Sequence, residues 1–472
     1  MKQNTAVWWI RRDLRLADNP ALTRALQEAE HVTAVFILDP MLLRSPYVGE
    51  KRLAFLFAGL SELDQALQQR GGRLIVREGE PVAELGRLLA ETGAQSIYAE
   101  PDFSPYARQR DARASTQLPV NWTGLPVVHP PEAVLKLDGT PYTVFTPFRR
   151  RWESLPFPTN PLPAPGLIPS LEGIFSLPIP QPASRDALLA FPPGEAEALR
   201  RLGYFTGGRD APVYEYQTSR NLMGIEGTSQ LSPYLRFGML SPRQAAHSAI
   251  NAIQRAVNTG YRASAEAWLS ELIWREFYLN ILYHFPYVRK VSFRTDLQKI
   301  AWRNDPQDFA AWCAGQTGYP IVDAAQRELL QTGWMHNRAR MISASFLTKD
   351  LLIDWRWGEQ WFMQHLIDGD PAANNGGWQW TAGTGTDAAP YFRVFNPILQ
   401  AQKFDPLGEY VRRWVPELAL VTSEILHEPW KMSMAQQLQT NCVVGKDYPD
   451  QIVDHDRARQ QALKAYQFAK TT

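Results

Sequence analysis

The sequence predicts two fold classes in one chain: an α/β N-terminal domain with a Rossmann-like parallel sheet, and an all-α C-terminal domain. Short β-rich runs alternate with helical patterns at the start, a proline-dense stretch follows, and beyond it strand signals fade while helical ones dominate. Alternation of strand and helix implies a parallel sheet covered on both faces. At 472 residues the chain exceeds one ordinary core. The expected division is an α/β domain over 1–130, an interdomain linker over 131–200 and a helical domain over 201–472.

In order, "AVWWI", "HVTAVFILD", "RLIVRE" and "QSIYAE" read as buried strands. The segments "NPALTRALQEAE", "KRLAFLFAGLSELDQALQQRGG" and "PVAELGRLLAETGA" read as the intervening helices, with Asn19-Pro20 as a start signal and Gly71-Gly72 as a stop. An open sheet of this kind binds ligands at the carboxyl ends of its strands. The first strand is not followed by G-x-G-x-x-G, which leaves a nicotinamide-dinucleotide reading little support. Eleven of the 36 prolines lie between Pro156 and Pro193, a semi-rigid connector expected to run along a surface.

Hydrophobic residues at 45% and charged residues at 21% are globular proportions. The N-terminus lacks a secretory apolar core and no run reaches the roughly 18 residues of a membrane span, so the expected location is the cytoplasm. Cys313 and Cys442 stand far apart, which argues against a disulfide framework or a cysteine-rich metal site. A net charge of +1 neither requires nor excludes nucleic acid. Twelve of the sixteen tryptophans fall from Trp268 onward, which marks the C-terminal half as specialised.

On the helix "WLSELIWREFYLNI", Leu269, Leu272, Ile273 and Phe277 share a core face, while Trp268, Glu271, Trp274, Arg275 and Tyr278 share the other. The second face is either a contact with another helix or a wall for a flat, polar-edged ligand such as a base or a flavin. "GYPIVDAAQRELLQTGWMHNRARMISASFL" reads as two helices split at Gly333, with Asn337, Arg340 and Met341 on one face. His336 alone is not a metal ligand by default, and "DGDPAANNGG" has Ala372 and Ala373 where a calcium loop needs Asp or Asn and Gly, so no metal site is expected. In "EGTSQLSPYLRFG", Ser232 suits a helix N-cap with Pro233 next, and free amides and hydroxyls there equally suit phosphate oxygens.

Eight segments in order, "RRDLRLADNPAL", "GTSQLS", "ELIWREFY", "TGYPIVDAA", "TGWMHNRARM", "DWRWGEQWFM", "DGDPAANNGGWQW" and "RVFNP", resemble the photolyase and cryptochrome family over nearly the whole chain. The closer resemblance is to class I photolyases acting on cyclobutane pyrimidine dimers. It implies an antenna chromophore in the α/β domain and FAD, working as the reduced anion, in the helical one.

Position by position, the resemblance implies that Tyr216, Thr228, Ser229, Leu231 and Ser232 surround the FAD phosphates. Arg340, paired with Asp368, would lie beside the isoalloxazine, Asp370 would accept from its N3–H, and Asn374 would face N5. A neutral amide at N5 tolerates either protonation state there. Glu271, Trp274, Asn337, Met341 and Trp380 would form the lesion pocket, with Trp274 and Trp380 sandwiching the dimer and Arg220 and Arg338 near flanking phosphates. Trp378, Trp355 and Trp302 match the family's tryptophan chain.

The implied partner is UV-damaged DNA, single- or double-stranded and without sequence preference, engaged by a monomer. A dimer must flip out of the duplex to reach the pocket, and photolyases are among that principle's own named examples. Asn337 and Met341 favour cyclobutane dimers over (6-4) lesions. Asn374, Trp274 and Trp380 favour a photolyase over a cryptochrome photosensor or a general FAD oxidoreductase. Among a deazaflavin, a folate and a second flavin (FMN) as antenna, "EPDFSPYARQRD" looks more like the deazaflavin pattern, which implies Arg52, Asp102 and Arg236 as contacts. Arg236 stands where that type tends to carry lysine.

Overall fold

The computed structural model describes residues 2–157, 160–181, 186–390 and 393–471. The chain divides into two compact units. One comprises Met1–Gln217, Ser229–Pro286 and Ile367–Ala372, and the other comprises Thr218–Thr228, Tyr287–Leu366 and Ala373–Thr472.

The first unit contains a parallel sheet of five strands, β1 (Gln3–Ile10), β2 (Ala29–Leu38), β3 (Leu74–Glu78), β4 (Ile97–Ala99) and β5 (Val120–Trp122), in the order β3-β2-β1-β4-β5. Register is fixed by pairs such as Trp8 with Ala34 on one side and Trp8 with Tyr98 on the other. Residues 5–10 of β1 are all buried, as a central strand covered on both faces requires. The helix Pro20–Glu28 starts as expected: the Asn19 side chain accepts from the Leu22 N–H at 3.0 Å, and Pro20 needs no donor there. The short strand β5 and the helix Pro105–Gln117 go beyond what the sequence patterns predict.

Strand order reverses at β1, so the crevice for a ligand lies where β1 and β4 end. Arg11 and Arg12 follow β1, and Glu100 and Asp102 follow β4. The segment "RRDLRLADNPAL" forms the scaffold beneath them. Asp13 accepts from Trp8 Nε1 and the Arg11 N–H, and Arg15 donates to Glu100 at 2.5 Å.

The expected linker lies against this sheet. Val76 N–H donates to the Ser176 hydroxyl and Leu177 N–H to the Val76 carbonyl, so the connector satisfies groups of the edge strand β3. Residues 158–159 and 182–185 of that segment lie outside the described residues.

Residue 201 is not a break in the packing, because the helices Ser232–Phe237 and Thr259–His284 belong to the same unit as the sheet. Gly238 shows why: it has φ +65°, and a Cβ there would sit 1.7 Å from the Arg12 carbonyl oxygen. Leu14 N–H donates to the Phe237 carbonyl across the same contact.

The second unit is helical. Its core gathers Trp312, Phe346, Trp355, Phe362, Trp378 and Tyr410, with Trp302 and Trp380 packed at its margin. The split at Gly333 is found: the helix Pro320–Thr332 ends on that glycine at φ +73°, and Asn337–Ser345 follows. Among the described residues no helix is long and apolar enough to cross a membrane.

Candidate functional site

In the first unit, the three residues expected at an antenna belong to one buried charge cluster. Arg12 donates to Asp370 Oδ2 at 2.7 Å and lies 3.6 Å from Asp102, while Arg236 Nε donates to the Gly369 carbonyl at 2.8 Å. Burial opposes ionisation of Asp370, but Arg12, Arg236 and Arg275 outweigh it and hold the carboxyl far below the ordinary carboxylate range. Burial, then Arg12, lowers Arg236 to about 9, and Arg52 acts on it in the same direction.

The Asp370 carboxylate accepts from Arg12 and from the Ala372 N–H at 2.9 Å. One carboxylate shared among three guanidiniums is held by them. Arg12 was missed because "WIRR" has no spacing that points to residue 370.

Ser232 is the first residue of its helix, with Leu231 at the cap position and no side-chain capping bond. The N-cap reading therefore does not hold. Its hydroxyl donates to Asp368 Oδ2 at 2.6 Å instead, which ties the "GTSQLS" segment to the start of "DGDPAANNGGWQW". Leu231 and Asp368 are buried, Ser229 is half-buried, and Tyr216 is buried with its ring edge-on to Phe205.

The helix Thr259–His284 buries Leu269, Ile273 and Phe277 as expected. Its other face divides. Trp268 packs edge-on to Phe205 and is core, whereas Glu271, Trp274, Arg275 and Tyr278 are half-buried. One face of Trp274 is covered: Phe145 lies on it with ring centroids 3.7 Å apart and planes 6° from parallel.

In the second unit, Asn337 and Met341, expected on one face with Arg340, come together, and Arg338 joins them. Asn337 Nδ2 and Arg338 Nη1 each lie 3.7 Å from Met341 Sδ. Arg338 donates to Asn221 at 2.5 Å and stands over the Phe404 ring at 4.3 Å, which ties it to the residue following Arg220. Thr228 is half-buried in the same unit.

His336 caps this helix by accepting the Arg338 N–H on Nδ1, and burial lowers its pKa to about 4, so the ring is neutral. Arg340 Nε donates to the Met335 carbonyl at 2.8 Å, which holds the side chain along the helix start.

The helix Pro371–Ala382 sets Trp378 and Trp380 on different faces, because residues two apart on a helix point apart. Trp378 is 2% exposed and Trp380 half-buried. Trp378 meets Phe362 edge-on at 4.9 Å and Trp312 at 6.1 Å, and its indole N–H is buried with no acceptor among the described residues. Gly358 makes room for it, since a Cβ there would lie 2.1 Å from Trp378 Cη2. Trp355 is buried and donates to the Ser292 hydroxyl, while Trp302 is half-buried and edge-on to Tyr466.

Asn374 Nδ2 donates to the Glu359 carbonyl at 2.9 Å and to Glu359 Oε1 at 3.0 Å. Both are acceptors, which fixes the amide and leaves Oδ1 as the group available to a ligand. Glu359 was missed because it lies fifteen residues away on another helix.

The arrangement has known counterparts. The family described as "DNA photolyase" matches residues 6–166, and the family "FAD binding domain of DNA photolyase" matches residues 268–468. A deoxyribodipyrimidine photo-lyase of Synechococcus sp. is 41% identical over 97% of this chain and 95% of its own length. One from Escherichia coli is 40% identical over 99% of both chains. Among solved structures, a bacterial class III photolyase from Agrobacterium tumefaciens superposes with a TM-score of 0.93 at 36% identity, covering 100% of this chain and 99% of its own. A cryptochrome from Synechocystis sp. gives 0.89 at 32%, covering 98% and 99%.

Proposed function

The chain belongs to the DNA photolyase family, and on that premise we propose how its residues divide the work. Its activity is that of a deoxyribodipyrimidine photo-lyase, the light-driven repair of cyclobutane pyrimidine dimers, and its helical region is an FAD-binding domain. Within the family we assign it to class I.

The residues present fit FAD. A neutral amide with its carbonyl oxygen presented, a serine hydroxyl bonded to Asp368 and buried indoles form a set that reduced flavin tolerates. Bound and reduced, FAD supplies the light-excited electron donor for ring splitting, the electron returns afterwards, and no net redox change results.

Tyr216, Thr228, Ser229, Leu231 and Ser232 hold the phosphates and their surroundings. Arg340 with Asp368 would steady the negative ring, and Asn374 would present Oδ1 as a hydrogen-bond acceptor for N5–H. An amide does this without the charge that a carboxylate would bring. Asp370 acts from behind by fixing Arg12 and Arg236. The buried Trp378, then Trp355, then the half-buried Trp302 form a relay carrying electrons inward.

Glu271, Trp274, Asn337, Met341 and Trp380 receive the flipped dimer, and Arg220 and Arg338 hold phosphates without reading sequence. Trp274 offers the face opposite Phe145. Arg52, Asp102 and Arg236 face a deazaflavin antenna, a reading supported by their shared charge cluster. We read the protein as a cytoplasmic monomer acting on single- or double-stranded DNA.

The observation that carries the lesion assignment is the half-buried Trp274, with Phe145 stacked flat on one face. Trp274→Ala should lower the preference for dimer-containing over intact oligonucleotide by roughly 1–3 kcal/mol, the worth of one base–aromatic stack. Unchanged preference in a dark binding assay would remove Trp274 from the pocket.

A further inference from the structure

We propose that Phe145, from the segment expected to be linker, is a positioning residue for lesion recognition: it fixes the plane of Trp274. The inference rests on the lesion-pocket reading above. Phe145 opens the helix Phe145–Ser154, whose buried residues Phe145, Phe148 and Trp152 form one face at helical spacing.

That face is fastened to the helix carrying Trp274. Phe148 meets Phe277 edge-on at 5.3 Å, and Trp152 Nε1 donates to Glu276 at 2.7 Å. Glu276 also accepts from the Val128 and His129 N–H groups, so three donors meet on one carboxyl group. With the helix held in this way, the Phe145 ring lies parallel to the Trp274 indole at 3.7 Å. Phe277 closes a second side of the indole at 84° and Tyr278 a third at 33°, both at 5.5 Å.

An indole on a half-buried helix face has other rotamers available, and a terminal sp³–sp² torsion is broad. Filling one face with a flat ring removes them. A cyclobutane-linked pair is puckered and offers limited contact area, so binding it depends on an indole already held in the receiving plane. Ordering that side chain in advance removes an entropic cost from binding.

Phe145→Leu keeps apolar volume and removes the flat support. In the dark, the holoprotein variant should show a damaged-to-intact affinity ratio lowered about three- to tenfold, with affinity for intact oligonucleotide and the flavin absorption spectrum unchanged. Phe145→Tyr, which keeps the plane, should retain the parent ratio. Combined with Trp274→Ala, Phe145→Leu should cause no further loss, because it acts through that indole. A Leu variant with the parent ratio, a Tyr variant as poor as Leu, or losses that add in the double variant would overturn the proposal. An unchanged ratio for Trp274→Ala alone would instead overturn the lesion-pocket reading, and this inference with it.

Discussion

Trp274 is half-buried, with Phe145 stacked flat on one side, whereas Trp378 is 2% exposed and meets Phe362 and Trp312 edge-on. The polar company of each differs as well. Near Trp274 the helix face carries Glu271, Arg275 and Tyr278, while the Trp378 indole N–H is buried with no acceptor among the described residues. A ring supported from behind is prepared to stack on something that arrives. A ring enclosed by edges is prepared to stay put and exchange electrons. The difference shows that counting aromatics says little, and that which side of a ring is covered says more.

Four changes break or sharpen that comparison. The largest effect belongs to neither ring and calibrates both. Asp370→Asn leaves Arg12, Arg236 and Arg275 without their shared counter-charge, and breaking such a buried set costs about 3–5 kcal/mol. The sign with pH follows from the depressed pKa. The carboxylate's contribution is present above its ordinary value of about 4 and is lost as pH falls below it. Denaturant melts at neutral pH should show the full gap between parent and variant, and melts near pH 3 a smaller one. A gap independent of pH would contradict the charge cluster.

Next comes Gly358→Ala, which drives a methyl group into Trp378 and Leu347. Overpacking of this kind costs about 1–3 kcal/mol, more than the roughly 1 kcal/mol alanine gains in helix propensity. Light-driven flavin reduction should slow while dark lesion binding holds. Equal loss of both would erase the distinction between the two rings.

A smaller, pH-dependent effect is expected at Glu328, which anchors the start of the helix bearing Asn337 and Met341. Burial raises its pKa to about 7, and one oxygen accepts from the Tyr410 hydroxyl at 2.6 Å and the His336 N–H at 3.1 Å. With a raised folded-state pKa, its favourable contribution is complete below the ordinary carboxyl value and is lost as pH rises through about 7. Glu328→Gln mimics the protonated acid, so thermal unfolding should match the parent at pH 5 and exceed it at pH 8. Parallel profiles would contradict this.

Legibility in the sequence tracked the range of the interaction. Four strands and the helices between them could be read from local periodicity, and the shared face of Asn337, Arg340 and Met341 from helical spacing. The three-residue β5 was too short for a pattern. Arg12 with Asp370, Glu359 with Asn374, and Phe145 with Trp274 are partnerships between distant segments that only tertiary packing creates. The Ser232 hydroxyl shows the same limit from the other side. A local rule offered it a cap, and the carboxylate of Asp368 took it.

Trp302→Phe has the smallest expected effect on the fold and tests the division of labour most directly. On oxidised holoprotein under light, the variant should reduce its flavin much more slowly than the parent. After chemical reduction, both should clear dimers from UV-damaged oligonucleotide at the same illuminated rate, with none cleared in darkness. If repair falls in step with photoreduction, or if dimers persist in the reduced parent under light, the separation of relay from lesion pocket is wrong.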